Sequence, residues 1–227
     1  MATRADALVV LAKAPLPGNV KSRLVPPLSA EQAADLARAL LLDQLNHLRS
    51  LAGADLYLAF APAESESMMR RLVPARYRCF PQAGGDLGQR MQAAFAELFD
   101  GGHQRIVLIG GDLPAVPLPF FEQAYAFLRS SEQSVVLGPS SDGGYFLVGC
   151  NCLTPQIFSG IDWGQPHVLE QTVARLAAFK IAYQLLPEWF DVDTADDMGN
   201  LESLLCRSLG NAMPQTATLL RRLRLKQ

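Results

Sequence analysis

The chain has 227 residues, 49% of them hydrophobic and 19% charged. That apolar fraction excludes intrinsic disorder as a description of the whole, and the length suits one or two domains. Twenty basic against 22 acidic side chains leave a net charge of −2, which argues against a surface built to coat nucleic acid. No run approaches the roughly 18 apolar residues of a membrane span.

Residues 7–12 (ALVVLA) follow Arg4 in the manner of a short signal peptide. Asp6 at the edge, the shortness of the run and Lys13 at its end make a buried first strand over residues 6–12 the better reading. Without a signal the expected location is the cytoplasm. A loop containing Pro15, Pro17 and Gly18 comes next, then a long helix from Ala30 to about Leu51. Ser29 with Gln32 three residues on forms a capping-box signature for its start. Gly53 punctuates, and residues 55–61 read as a second strand.

A short helix over 64–72 and a short strand over 77–80 follow. Asp86, with Gln89 three on, caps a helix running to Phe99. Residues 105–109 (RIVLI) form a strand of continuous apolar character, as expected for burial on both faces. A helix over 118–130 precedes two strands, 134–138 and 145–149, with a Gly-rich link and no helix between them. That link turns one strand against its neighbours, so the sheet is mixed. A helix over 167–179, a strand over 181–186 and a helix over 195–206 complete the pattern. Alternating strands and helices predict a three-layer α/β domain with a mainly parallel sheet.

The four cysteines, Cys79, Cys150, Cys152 and Cys206, form no CxxC pair and read as reduced, mostly buried thiols. His47, His103 and His167 are scattered and build no metal motif. The last 20 residues carry Arg221, Arg222, Arg224 and Lys226 and no acid. We therefore read residues 1–207 as one domain and 208–227 as a basic, helical tail. Leu219, Leu220, Leu223 and Leu225 would pack on the body. Contact with an anionic partner or membrane surface is the alternative.

In open α/β sheets ligands bind beyond the carboxyl ends of the strands. Three such places are unusual here. The segment 13–23 (KAPLPGNVKSR) brings Lys13, Lys21 and Arg23 to one sheet edge on a loop stiffened by Pro15 and Pro17. Such cations suit a di- or triphosphate, Arg as a fork and Lys as a point charge. A solvated surface loop would have the same composition. Gly110-Gly111-Asp112-Leu113-Pro114 ends the most apolar strand. A carboxylate beside a polyphosphate calls for Mg²⁺ or Mn²⁺ between them, although Asp112 is equally suited to capping a turn. Asp142-Gly143-Gly144-Tyr145 reads as a hairpin turn, and Asp191-Val192-Asp193-Thr194 either adds acidic ligands or caps the next helix.

Taken in order, these motifs resemble a known family. KAPLPGNVKSRL, GGDLGQRM, GGDLP, GPSSDGGY, the Trp163 segment WGQPHVL and DVDTADDM closely resemble a bacterial family of GT-A-fold, nucleotide-diphospho-sugar transferase-like proteins. That family includes glycosyltransferases linked to arsenosugar biosynthesis. The resemblance covers about residues 6–205. It implies a Rossmann-like GT-A domain with a nucleotide and a divalent metal. Lys13, Lys21 and Arg23 would hold phosphates, and Gly84, Gly85, Asp86 and Arg90 would lie near base or ribose. Asp112 would be the main metal ligand, completed by Asp193 and Asp191. Asp142, Gly143, Gly144, Tyr145 and Trp163 would border the sugar or acceptor pocket. Ser22 stands where the family has Thr, Leu113 where it has Cys, and Gly164-Gln165 where Ser-Thr follows the Trp.

The function expected is a metal-dependent transfer of sugar from a nucleotide-diphospho-sugar to a small acceptor. Asp142 would serve as base, and Lys21 would stabilise the departing phosphate. The first loop is also similar to the Lys-Ser-Arg-Leu segment of phospholactate guanylyltransferases. That likeness gives the alternative, transfer of NMP from an NTP to a phosphorylated small molecule. A nucleotide-binding module without catalysis is the third reading.

Overall fold

The computed structural model describes residues 4–206 and 212–224. Leu225 and Lys226 of the expected tail, and the boundary placed at 207, lie outside them. One seven-stranded sheet forms the middle layer. Its strands are β1 (Asp6–Lys13), β2 (Ala54–Ala61), β3 (Arg78–Pro81), β4 (Arg105–Gly110), β5 (Ser134–Pro139), β6 (Tyr145–Cys150) and β7 (Ala182–Leu185), in the order β3-β2-β1-β4-β6-β5-β7. Only β6 runs antiparallel to its neighbours, β4 and β5. The sheet is mixed for the reason read from the sequence: residues 140–144 turn back without a helix.

The helices are α1 (Ala30–Leu48), α2 (Glu66–Leu72), α3 (Leu87–Asp100), α4 (Leu118–Ser130), α5 (Val168–Ala178), α6 (Ala195–Leu204) and α7 (Pro214–Arg224). None of the described helices is long and apolar enough to cross a membrane. Period-two alternation along β1 builds the three layers. Leu8, Val10 and Ala12 face one core with Leu41 and Leu45 of α1, Met69 of α2 and Phe121 of α4. Ala7, Val9 and Leu11 face the other with Met91 and Phe95 of α3 and Leu176 of α5.

Local chemistry sets the helix ends. Ser29 Oγ accepts the Gln32 N–H at 3.2 Å while the Ser29 N–H donates to Gln32 Oε1 at 2.7 Å, closing the box at the start of α1. The helix stops at Leu48, three residues before the expected end. The Arg76 guanidinium takes the carbonyls of Arg49 and Leu51 there, and Gly53 leaves at φ +90°. The cysteines are free, but only Cys150 is buried; Cys79 and Cys152 are half-buried and Cys206 is exposed.

A third apolar cluster joins α1, α6 and α7 through Leu36, Leu40, Leu201, Met213 and Leu220, with Leu219 and Leu223 packed beside it. The buried Asp43 carboxylate on α1 accepts the N–H groups of Gln215 at 3.2 Å and Thr216 at 2.8 Å, capping α7 from another helix. Burial pushes the Asp43 pKa up, against the pull of these N–H groups. Asp43→Ala therefore strands two helix-end donors and should cost about 1–3 kcal/mol. Thermal unfolding should show a melting temperature lower by roughly 2–4 °C per kcal/mol lost.

Candidate nucleotide site

The strand order reverses between β1 and β4, whose neighbours β2 and β6 lie on opposite sides. Such a switch point opens a crevice at the carboxyl ends of the strands. Lys13 ends β1 and Asp112 follows β4, so both stand at this crevice. Because β6 is reversed, the 140–144 turn comes to the same edge. The parallel bridge of Ser140 with Trp189, and the Trp189 N–H to Pro139 carbonyl bond of 3.1 Å, bring the chain after β7 alongside it. A cavity of about 470 Å³ results.

The first loop is anchored by buried apolar residues. Val20 and Leu24 are buried on either side of Lys21. Between them Lys21 adopts a left-handed backbone, φ +50° and ψ +37°, before a short turn over Ser22–Leu24. Its side chain is only 3% exposed, and its Nζ donates to Asp112 Oδ2 at 3.0 Å and Asp193 Oδ1 at 2.8 Å. Arg23 lies further out, its Nη1 at 3.9 Å from Asp193 Oδ2. Lys13 and Arg90 line the same cavity.

The carboxylates respond to this arrangement. Burial works to raise the Asp112 pKa, but the Lys21 ammonium, with Lys13 further off, holds it below the usual carboxylate range. Burial likewise works to lower the Lys21 pKa, and its two carboxylate partners raise it instead. Asp191 has no such cationic partner among the described residues; burial, then Asp193, Asp112 and Asp142, push it up to about 6. The cavity edge thus carries more negative charge than Lys21 neutralises.

The open alternatives at the acidic motifs resolve differently. Asp86 caps α3, its Oδ1 accepting the Gln89 N–H at 2.8 Å, and Gln89 Oε1 in turn accepts the Gly85 N–H at 2.8 Å. Gly84, Gly85 and Asp86 do not line the cavity, whereas Leu87, Arg90 and Met91 of the helix they introduce do. At α6 the cap is Thr194 with Asp197, leaving the Asp193 carboxylate for Lys21. Asp142 lines the cavity, but its Oδ1 is bonded within its own turn to the Ser140 hydroxyl and to the Gly144 N–H at 3.0 Å. Gly144, Tyr145 and Trp163 line the cavity, with the Tyr145 and Trp163 rings edge to face at 6.2 Å. Gly143 lies behind that wall against Pro166.

Gln82 escaped the sequence reading. It lines the cavity just past β3, and its Nε2 donates to the carbonyls of Ala12 at 3.2 Å and Ala59 at 2.8 Å. Those two acceptors fix the amide's orientation. A polar residue immediately after a short strand was the available signal.

The donor set fits a hard divalent cation. Asp112 and Asp193 converge on one cationic group, and both offer oxygen ligands. Among the described residues no three Asp, Glu, His or Cys side chains are arranged to hold a metal by themselves. Phosphate oxygens and water would supply the remaining positions, as is usual for Mg²⁺.

No curated protein sequence matches the chain. Among solved structures, it is 32% identical to a Desulfovibrio desulfuricans G20 protein provisionally described as a nucleotide-diphospho-sugar transferase. That match covers 97% of this chain and 95% of the other at a TM-score of 0.89. CMP:2-keto-3-deoxy-manno-octonic acid synthetase complexed with CTP shares 12% identity over 90% of this chain and 99% of the other, TM-score 0.58. A manganese complex of a Mycobacterium tuberculosis protein shares 17% over 88% and 98%, TM-score 0.50. These last two likenesses concern the fold, which is the Rossmann-like α/β fold of nucleotide-diphospho-sugar transferase structures. Residues 44–165, more than half of the chain, match the family described as "uncharacterized protein conserved in bacteria", and the chain belongs to that family, DUF2064.

Proposed function

We propose that the chain is a metal-dependent transferase that moves a sugar from a nucleotide-diphospho-sugar to a small acceptor. The observation that carries this reading is the meeting of Lys13, Lys21 and Arg23 with Asp112 and Asp193 across one cavity at the switch point of the sheet. The provisional description of the Desulfovibrio protein supports it. Mg²⁺ or Mn²⁺ would be held by Asp112 and Asp193, with Asp191 beside them. When bound it would offset charge on the diphosphate.

The chain's own residues supply the rest. Lys13, Lys21 and Arg23 hold the phosphates and stabilise the charge that develops as the nucleoside diphosphate departs. Arg90 and Gln82 line the same cavity, and in this reading they border the nucleoside. Tyr145 and Trp163 offer an aromatic border to sugar or acceptor, and positioning there contributes much of the rate. Asp142 faces the cavity as the base for an acceptor hydroxyl.

Transfer of NMP from an NTP is the second reading, favoured by the four cations Lys13, Lys21, Arg23 and Arg90 that line one cavity. In it a phosphorylated acceptor attacks the α-phosphate and pyrophosphate leaves. Incubation with Mg²⁺ or Mn²⁺, a panel of nucleotide sugars and triphosphates, and a panel of acceptors separates the two. Nucleoside diphosphate released from a sugar donor is the expected result. Pyrophosphate from a triphosphate would establish the second reading, and binding without turnover across the panels would contradict both.

A further inference from the structure

We infer that Lys21 is a built-in stand-in for the divalent cation: its ammonium occupies the Asp112–Asp193 pair and yields it only when nucleotide phosphate arrives with the metal. The ligand the site takes up is then the metal–nucleotide complex, and free metal is discriminated against. This rests on the metal-dependent reading above.

The geometry is specific. One Nζ is bonded to two carboxylates that reach it from distant parts of the chain, at 3.0 and 2.8 Å. Those oxygens are the ones that converge on a single cationic position, so a metal sharing them must displace the N–H bonds. The Lys21 side chain is 3% exposed, so the ammonium is not a loosely solvated neighbour. Val20 and Leu24 are buried on both sides and anchor the backbone, so release of the carboxylates needs only rotation about the bonds of the four-carbon stem.

Formal charge gives the coupling. Two carboxylates and one ammonium leave one net negative charge. A divalent cation entering alone turns that into one net positive charge, with an ammonium crowded beside a metal in a half-buried cavity. A divalent cation entering with a doubly negative diphosphate ester leaves the total unchanged, and the displaced ammonium finds phosphate oxygens in place of carboxylates. Arg23, 3.9 Å from Asp193 and largely exposed, remains in place to hold the outer phosphate oxygens.

The test measures Mn²⁺ uptake by the full-length protein, by calorimetry and by the loss of the free-ion electron paramagnetic resonance signal, with and without a nucleoside diphosphate. Lys21→Met should bind Mn²⁺ alone at least about 10-fold more tightly than the wild type, because the competitor is gone. Added nucleoside diphosphate should tighten Mn²⁺ binding to the wild type by a larger factor than to the variant. Lys21→Gln, which keeps a polar group between the carboxylates, repeats the comparison should the Met variant not fold. Unchanged or weaker binding of Mn²⁺ alone in the variants would overturn the stand-in role while leaving the metal site intact. Absence of Mn²⁺ uptake by wild type and variants, with or without nucleotide, would overturn the metal-dependent reading itself and the stand-in with it.

Discussion

Asp112→Asn should remove most of the metal-dependent nucleotide affinity while leaving the fold cooperative. The substitution keeps the shape of the side chain and deletes the charge that faces Lys21 at 3.0 Å. Loss of even an outer-shell partner costs a metal site about 10- to 100-fold in affinity, and loss of a direct carboxylate should cost at least that. Stability should change little, because Lys21 keeps Asp193 at 2.8 Å and is not left as an unpaired buried charge. Calorimetry of nucleotide binding with and without Mg²⁺ checks the first part, and thermal unfolding checks the second. Equal metal-dependent affinity in the variant would remove Asp112 from the metal site.

Gly143→Ala should be the most damaging small substitution near the cavity. Gly143 has φ +87°, a region that L side chains rarely adopt, and an added Cβ would lie 1.9 Å from the Pro166 carbonyl oxygen. That neighbour is backbone, so no rotamer change relieves the clash. The two segments in contact are the turn carrying Asp142 and the stretch just after Trp163, and Leu169 N–H also bonds the Gly143 carbonyl at 3.0 Å. Gly164 supplies the control. Its φ is +80°, but nothing lies within 4 Å of an added Cβ. Gly164→Ala should cost about 1 kcal/mol from backbone strain alone. Gly143→Ala should cost roughly 3 kcal/mol or more by adding the steric term, with a melting temperature lower by about 6–12 °C. Similar losses in the two variants would mean that the turn moves freely and that this part of the cavity wall is not fixed by this contact.

The cavity's position was legible because it follows from connectivity. The apolar strand ending at Gly110 and the strand ending at Lys13 could be read from their residues. The Gly-rich link at 140–144, read as a turn without a helix, already reversed one strand and delivered Asp142 to the same edge. Asp86 was legible as a helix cap because a cap and its N3 partner are three residues apart, whereas the sequence left open whether residues 191–194 supply acidic ligands or the cap that Thr194 forms at α6. The Lys21 ion pairs were not, since they join residues 91 and 172 positions apart. A left-handed lysine backbone has no compositional sign either. Capping of α7 by Asp43 was hidden for the same reason: its partners are 172 and 173 residues downstream. At the early end of α1 the freed carbonyls of Arg49 and Leu51 are taken by Arg76, a residue from another turn of the fold.

A crystal of the protein grown with Mn²⁺ and a nucleotide tests the central claim most directly, because manganese gives its own anomalous signal. An anomalous peak within bonding distance of Asp112 and Asp193, bridged to phosphate oxygens that face Lys13 and Arg23, is the expected result. Nucleotide bound with its phosphates away from those cations, or manganese bound elsewhere on the molecule, would contradict it.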